Sequence, residues 1–257
     1  MIVLDFNGNS FEFLKALAKF DEEDNCLLVR GDAIPLLQLL PTRYVDLILT
    51  DPPYDPPDDN PEQTYMKGLS GVQKKVVAKQ YARILKWTGS VFTFCGYSDV
   101  FKWYELFRKH GLIFCRHLVW CYSNCTSIRF TSVRRFKSAF DEILWFARSK
   151  DWYFDNSGSV ELNWFNEPSF VGWRRSAEDN PQEKIGVTPK PLKILRVAVK
   201  RLSPKKGVVL DPFMGLGSSG IASLQLGRKF IGFEIRKDVF KLAVERIKRN
   251  FNSLENY

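Results

Sequence analysis

Val208-Val209-Leu210-Asp211-Pro212-Phe213-Met214-Gly215-Leu216-Gly217-Ser218-Ser219-Gly220 decides the fold of this chain, by its spelling and still more by its position. Val208 to Leu210 reads as a short buried strand. The glycines that follow let the backbone turn tightly and come close to a ligand, and the helix pattern from Ile221 to Leu226 offers free N–H groups at its start. A second strand, Lys229 to Phe233, ends in Glu234, an acidic residue able to accept both hydroxyls of a ribose. The spelling alone describes a dinucleotide-binding unit equally well. Such a unit normally opens its sheet. Here only one helical segment, rich in Lys and Arg, follows Glu234 before Tyr257, so the other strands must come from the residues before it. That order implies a circularly permuted, Rossmann-like α/β sheet flanked by helices.

Far upstream, the apolar run Val45-Asp46-Leu47-Ile48-Leu49-Thr50 leads directly into Asp51-Pro52-Pro53-Tyr54. Proline fixes φ and has no N–H, so a strand ending this way leaves a stiff turn that offers carbonyls, a carboxylate and a ring. Such a turn suits a flat group carrying N–H donors, for example the exocyclic amine of a nucleobase. An ordinary Asp-Pro turn with a half-buried tyrosine has the same four residues. In a permuted sheet the turn and the glycine loop fall on neighbouring strand ends, in the crevice where open α/β sheets bind ligands.

With both motifs in hand, the chain resembles the DNA amino-methyltransferases of the permuted (beta) arrangement, which use S-adenosylmethionine. The resemblance covers nearly the whole chain. Gly31-Asp32 looks like the Gly-Asp that holds the cofactor's adenine amino group. Arg83-Ile84-Leu85-Lys86-Trp87-Thr88-Gly89-Ser90 looks like the family's turn before a buried strand, here Val91 to Cys95, with Trp87-Thr88 in place of Pro-Gly at a surface turn. His117 to Trp120 and Phe136 to Phe146 match later strands, and Thr188-Pro189-Lys190-Pro191 matches the segment ahead of the cofactor loop. The resemblance implies catalytic roles for Asp51, Pro52, Pro53 and Tyr54, with Tyr54 stacking on a base flipped out of duplex DNA. It implies cofactor contacts for Asp32, Lys190, Asp211, Pro212, Phe213, Gly215, Gly217 and Glu234. Within these, Phe213 lies against the methionine part and Lys190 near its carboxylate. An Asp opening the turn leans towards adenine N6. Cytosine N4, an RNA or protein-amide substrate, and a catalytically silent nucleic-acid-binding partner stay open as alternatives.

Composition bounds the reading. At 257 residues and 45% hydrophobic, the chain can form a single domain, 1–257, with an insertion at about 123–187. The net charge of +9, from 38 Lys and Arg against 29 Asp and Glu, suits a polyanion such as duplex DNA. No basic-then-apolar leader and no long apolar run is present, so neither a signal peptide nor a membrane contact is expected, and a cytoplasmic place fits. Five scattered cysteines fit free thiols in a reducing compartment. Cys115, His117, Cys121 and Cys125 have the ligand types for zinc but no C-x-x-C knuckle, and no metal is expected. Alternation on a strand from Leu112 to Trp120 sends Cys115 and His117 to one packed face.

Further elements read as a strand-like start, a helix from Phe11 to Phe20, a strand from Cys26 to Arg30, and helices from Val72 to Leu85 and Phe101 to His110. Lys74, Lys75 and Lys79 are expected on the wetter side of the first of these later helices. Asp55 to Pro61 reads as a loop over the active site, and a plain surface linker has the same composition. From Ser123 to Arg175, Arg129, Arg134, Arg135, Lys137, Arg148, Lys150, Arg174 and Arg175 interleave with Trp152, Tyr153, Trp164, Phe165, Phe170 and Trp173. Cations for phosphates and flat rings for unstacked bases are what nucleic-acid contact needs. This region is shorter than a separate recognition domain. DNA specificity is therefore brief, or supplied by a homodimer or a partner restriction or specificity subunit.

Overall fold

The structure is a computed structural model that describes residues 1–54, 68–124, 139–158, 161–169 and 187–252. Among these residues, nine strands form one sheet: β1 (Ile2–Asp5), β2 (Cys26–Arg30), β3 (Val45–Thr50), β4 (Leu85–Cys95), β5 (Ile113–Tyr122), β6 (Phe140–Ala147), β7 (Trp164–Glu167), β8 (Val208–Asp211) and β9 (Lys229–Glu234). Their order across the sheet is β1-β2-β9-β8-β3-β4-β6-β5-β7. The last two strands of the chain thus sit at its centre, between β2 and β3, as the position of the glycine loop requires. β1 to β4 with β8 and β9 are all parallel, and β6 is antiparallel to both β4 and β5.

Among the described residues, seven helices cover the faces: α1 (Ser10–Glu22), α2 (Ala33–Leu39), α3 (Gly71–Ile84), α4 (Val100–Lys109), α5 (Leu192–Leu202), α6 (Ser218–Gln225) and α7 (Lys237–Asn252). Parallel strands covered on both sides read as continuous apolar runs, and β3 is buried at all six positions. Alternation then divides the core. Ile48 faces α1–α4 with Phe13, Tyr81 and Phe107, whereas Leu47 and Leu49 face α5–α7 with Ile194, Ile221 and Ile247; Val45 joins the side of Ile48 across a register shift between Val45 and Leu47. The buried Asp46 is the exception, and its Oδ2 accepts from Val208 N and Lys86 Nζ, both at 2.8 Å.

Several expectations need correction. α2 and α5 have no counterpart among the expected elements; α2 is short and carries Pro35, which a first helical turn tolerates. α3 runs directly into β4, so Leu85–Ser90 is already strand and Trp87 lies under two guanidinium groups, Arg43 at 4.4 Å and Arg148 at 4.7 Å from the ring centroid. Lys74 is not on a wet face: it is 3% exposed and ion-paired to Asp99, while Lys75 and Lys79 are exposed. A register shift between Phe114 and Arg116 breaks the alternation of β5, and His117 stays 46% exposed, paired with Glu142. Within the stretch 123–187, β6 and β7 belong to the main sheet.

The antiparallel sense of β6 also moves part of the basic, aromatic stretch. Ser90 pairs with Ala147, and Arg148 N bonds Gly89 O, so Arg148, Lys150, Trp152 and Tyr153 lie at the end of the sheet opposite to Asp51. Arg129, Arg134, Arg135, Lys137, Phe170, Trp173, Arg174 and Arg175 fall outside the described residues, as do the Asp55–Pro61 loop and Cys125. Among the described residues, no group of three or more His, Cys, Asp or Glu could hold a metal, and no helix is long and apolar enough to cross a membrane.

Candidate active site

β3 and β8 are neighbours in parallel register, so the turn that begins at Asp51 and the loop that begins at Asp211 leave the sheet side by side. One cleft of about 890 Å³ at these strand ends is lined by Asp32, Asp51, Pro52, Pro53, Tyr54, Lys190, Asp211, Pro212, Phe213, Gly215 and Glu234. Gly217 does not line it. Instead it takes φ +75° as the N-cap of α6, where an added Cβ would meet Ile247 at 2.8 Å. Gly215, at φ +50°, also adopts the left-handed form that favours glycine.

Asp211 points inward. Its carboxylate accepts from Thr50 Oγ1 at 2.9 Å, Ser219 Oγ at 2.5 Å and Phe213 N at 3.1 Å, which ties the end of β3 to the glycine loop. Burial pushes its pKa up to about 7 against the pull of those three donors. Ser218 Oγ, at the start of α6, is buried in the cleft wall with no hydrogen-bond partner among the described residues. A left-handed loop beside an unsatisfied hydroxyl and a helix N-terminus fits the polar amino-acid end of a cofactor.

The other end of the cleft is acidic. Gly31 N donates to Glu234 O at 3.0 Å, which holds the tips of β2 and β9 together. Burial raises the Glu234 pKa, opposed by the N–H of Arg236, which donates to Oε1 at 2.7 Å. Asp32 caps α2, with Oδ1 accepting from Ile34 N at 2.9 Å. Two carboxylates at adjacent strand tips suit the hydroxyls and amine of a nucleoside.

At the mouth, Pro52 is buried and Pro53 O accepts from Leu69 N at 3.2 Å, which stiffens the turn. The Tyr54 ring lies against Gly96, where a Cβ would come within 3.0 Å of the ring. Asp51 is 30% exposed as a side chain, and its Oδ2 accepts from Lys190 Nζ at 2.8 Å. Its Oδ1 is buried and has no hydrogen-bond partner among the described residues. Burial raises the Asp51 pKa, while the Lys190 charge pulls it back. For Lys190, burial works against the cation, but Asp51, Tyr54 and Asp141 outweigh it and hold the group charged.

The sequence expectation for Lys190 was a place beside the methionine carboxylate. Its ammonium is instead directed at Asp51, over the rings of Phe94 at 5.4 Å and Trp120 at 5.7 Å. Asp141, which lies 3.5 Å from Lys190, was missed. Its signal was available: Asp141 shares strand parity with Ile143, so alternation turns an acidic side chain towards the core face.

Comparison with known proteins gives this arrangement a family. The model of the N6/N4 type described as DNA methylase matches residues 45–245. The chain belongs to this family. Among curated relatives, the methylase is 26% identical to the type II methyltransferase M.ScaI of Streptomyces caespitosus, over 93% of this chain and 87% of the relative. It is also 26% identical to the type II methyltransferase M.HinfI of Haemophilus influenzae, over 89% of this chain and 70% of the relative. In fold, it superposes on the M1.HpyAVI–SAM complex with a TM-score of 0.65 at 23% identity, covering 86% of this chain and 98% of that one. The cytosine-N4-specific PvuII DNA methyltransferase gives 0.64 at 19% identity, covering 90% and 93%.

Proposed function

We propose that this methylase transfers the methyl group of S-adenosylmethionine to the N6 amine of adenine in duplex DNA, acting on a base flipped out of the helix. The observation that carries the reading is the buried Oδ1 of Asp51, without a hydrogen-bond partner among the described residues, in the cleft that Tyr54 and the glycine loop also line. A buried acceptor without a donor costs free energy unless a ligand supplies one. An exocyclic amine does so. The Asp opening the turn supports adenine over cytosine through the family resemblance alone.

The nitrogen of an aromatic amine is a poor nucleophile because its lone pair is delocalised into the ring. Asp51 Oδ1 and the Pro52 carbonyl accept hydrogen bonds from its two N–H groups, favour a pyramidal nitrogen and stabilise the positive charge that develops there. Tyr54 stacks on the base once it leaves the duplex. The cofactor, when bound, supplies a methyl group activated by a sulfonium. Glu234 and Asp32 hold its nucleoside, and Gly215, Phe213 and Ser218 hold its amino-acid part. A cysteine nucleophile is not needed, and the Cys95 thiol, at the end of β4, is held protonated by burial with Glu142 and Asp51 adding to the shift.

Two results check this subsection's assignments. Glu234→Ala should weaken cofactor binding by roughly 10- to 150-fold, the loss of about 1.5–3 kcal/mol from charge-assisted hydrogen bonds. Calorimetric titration reads this directly, and unchanged affinity would remove Glu234 from the cofactor site. Gly96→Ala should push the Tyr54 ring out of place, because overpacking of this kind costs about 1–3 kcal/mol. Steady-state kinetics should then show a raised KM for DNA with cofactor affinity intact. Transfer of tritiated methyl to RNA or protein in preference to DNA would overturn the substrate class.

A further inference from the structure

A chain of three side chains from separate parts of the sequence ends on the second oxygen of Asp51. Lys190 immediately precedes the Pro191 that caps α5, the helix lying over the face of the sheet that carries Phe94, Trp120 and Ile143. β6 pairs Asp141 with Trp120 of β5, so Asp141 projects from that same face. Tyr122, at the end of β5, donates its hydroxyl to Asp141 Oδ1 at 2.6 Å. Asp141 Oδ2 in turn reaches Lys190 Nζ at 3.5 Å, and Lys190 Nζ reaches Asp51 Oδ2 at 2.8 Å. Lys190 is only 12% exposed. A buried ammonium with a carboxylate on each side and aromatic rings beneath it has few other places to go.

We propose that Lys190 and Asp141 are positioning residues that act through Asp51: the chain Tyr122–Asp141–Lys190 anchors Oδ2 and so presents Oδ1 to the amine. This rests on the catalytic reading of Asp51. It assigns Lys190 to the substrate side of the cleft and gives the reaction a positioning residue, Asp141, on a strand far from either motif. Without the anchor, the carboxylate can rotate and share both oxygens with whatever donor is near. A misplacement of about 1 Å costs on the order of 100-fold in rate.

The two positioning residues should also shift the pH profile in opposite directions. The groups facing Asp51 are Lys190, Asp141 of β6, Tyr122 of β5, Cys95 of β4, Asp211 of β8 and its neighbour Tyr54. Cys95 is raised well above its ordinary value and Tyr54 is pushed up to about 12, so neither titrates near neutrality. Asp211 is pushed up to about 7 by burial, against the pull of Ser219, Thr50 and Phe213, with Asp51 adding to the rise. Lys190 lowers the Asp51 pKa and Asp141 raises it. The amine needs Asp51 ionised, so the rate rises with pH through that pKa. Lys190→Met should therefore move the acid limb to higher pH, and Asp141→Asn should move it to lower pH.

The test uses the full-length enzyme under single-turnover conditions at saturating cofactor, with cofactor affinity measured by calorimetry. Asp141→Asn, an isosteric change that spares the fold, should lower the plateau rate about 10- to 100-fold and leave cofactor affinity unchanged. Its effect should vanish in the Asp51→Asn background, since a residue acting through Asp51 has nothing left to position. Lys190→Met should lose rate near neutrality and regain part of it at higher pH. A weakened cofactor affinity with a normal saturated rate in Lys190→Met would return Lys190 to the methionine carboxylate and overturn the proposal. So would an Asp141→Asn effect that persists in full without Asp51. If Asp51→Asn alone keeps a normal rate, the catalytic reading of Asp51 fails independently.

Discussion

Asp51→Ala should lower the turnover number by about 100- to 1000-fold, the usual worth of a group that stabilises charge developing in the transition state. The carboxylate lines the cleft, and its Oδ1, buried and without a hydrogen-bond partner among the described residues, is the acceptor proposed for the amine. The loss should therefore appear in kcat more than in KM, because the contact strengthens as the nitrogen becomes positive. Cofactor affinity should hold, since Glu234 and the glycine loop lie on other strand ends. Rapid-quench measurement of methyl transfer, with calorimetry on the same variant, separates the two. A near-normal rate would make the Asp51 turn structural.

Lys74→Met should be the most damaging single change to stability outside the sheet. Lys74 Nζ donates to both oxygens of Asp99 at 2.7 Å, and both side chains are 3% exposed. Removing one partner of a buried pair leaves the other charge uncompensated and costs about 3–5 kcal/mol. For a chain of this size that is a fall of roughly 6–20 °C in the melting temperature. Lys102, 3.4 Å from Asp99 but largely exposed, offsets only part of it. Replacing both partners, as in Lys74→Met with Asp99→Leu, should recover much of the stability, because no charge is then left buried. Calorimetric melting of the two variants checks this. The pair has a functional reach as well: Asp99 N donates to Gly96 O at 2.9 Å, and Gly96 backs the Tyr54 ring.

The sheet and its permutation were legible because the apolar runs of parallel strands are long and the glycine loop stands near the chain's end. β2, β3, β8 and β9 lie within a residue of their expected limits. Short elements were harder. α2 has seven residues, one of them proline, and too few turns for a period to emerge. Lys74 shows a different failure. It shares the helical stripe of Val77, Ala78 and Tyr81, at spacings of three, four and seven, so its position argued for burial while its charge argued against it. Charge lost because Asp99 waits at the N-cap of α4, a contact no local pattern contains. His117 departed because a bulge shifts parity by one residue.

At the site, the two turns and their acidic residues were readable from composition and spacing, since each is local. The network behind them was not. Lys190, Asp141 and Tyr122 come from three separate parts of the chain and meet only because β6 turns back between β4 and β5. Lys190 lines the cleft, and the direction of its ammonium depends on Asp51 and Asp141, which no local pattern contains.

The most direct test of the central claim is nucleoside analysis of duplex DNA after incubation with the enzyme and isotopically labelled S-adenosylmethionine. Unmethylated DNA of mixed sequence serves, because it offers many recognition sites at once. The account predicts label in N6-methyladenine, present with the wild type and lost with Asp51→Ala. Label in N4-methylcytosine would contradict the choice of adenine while keeping the amine chemistry. Label absent from DNA altogether, with the cofactor bound, would contradict the account itself.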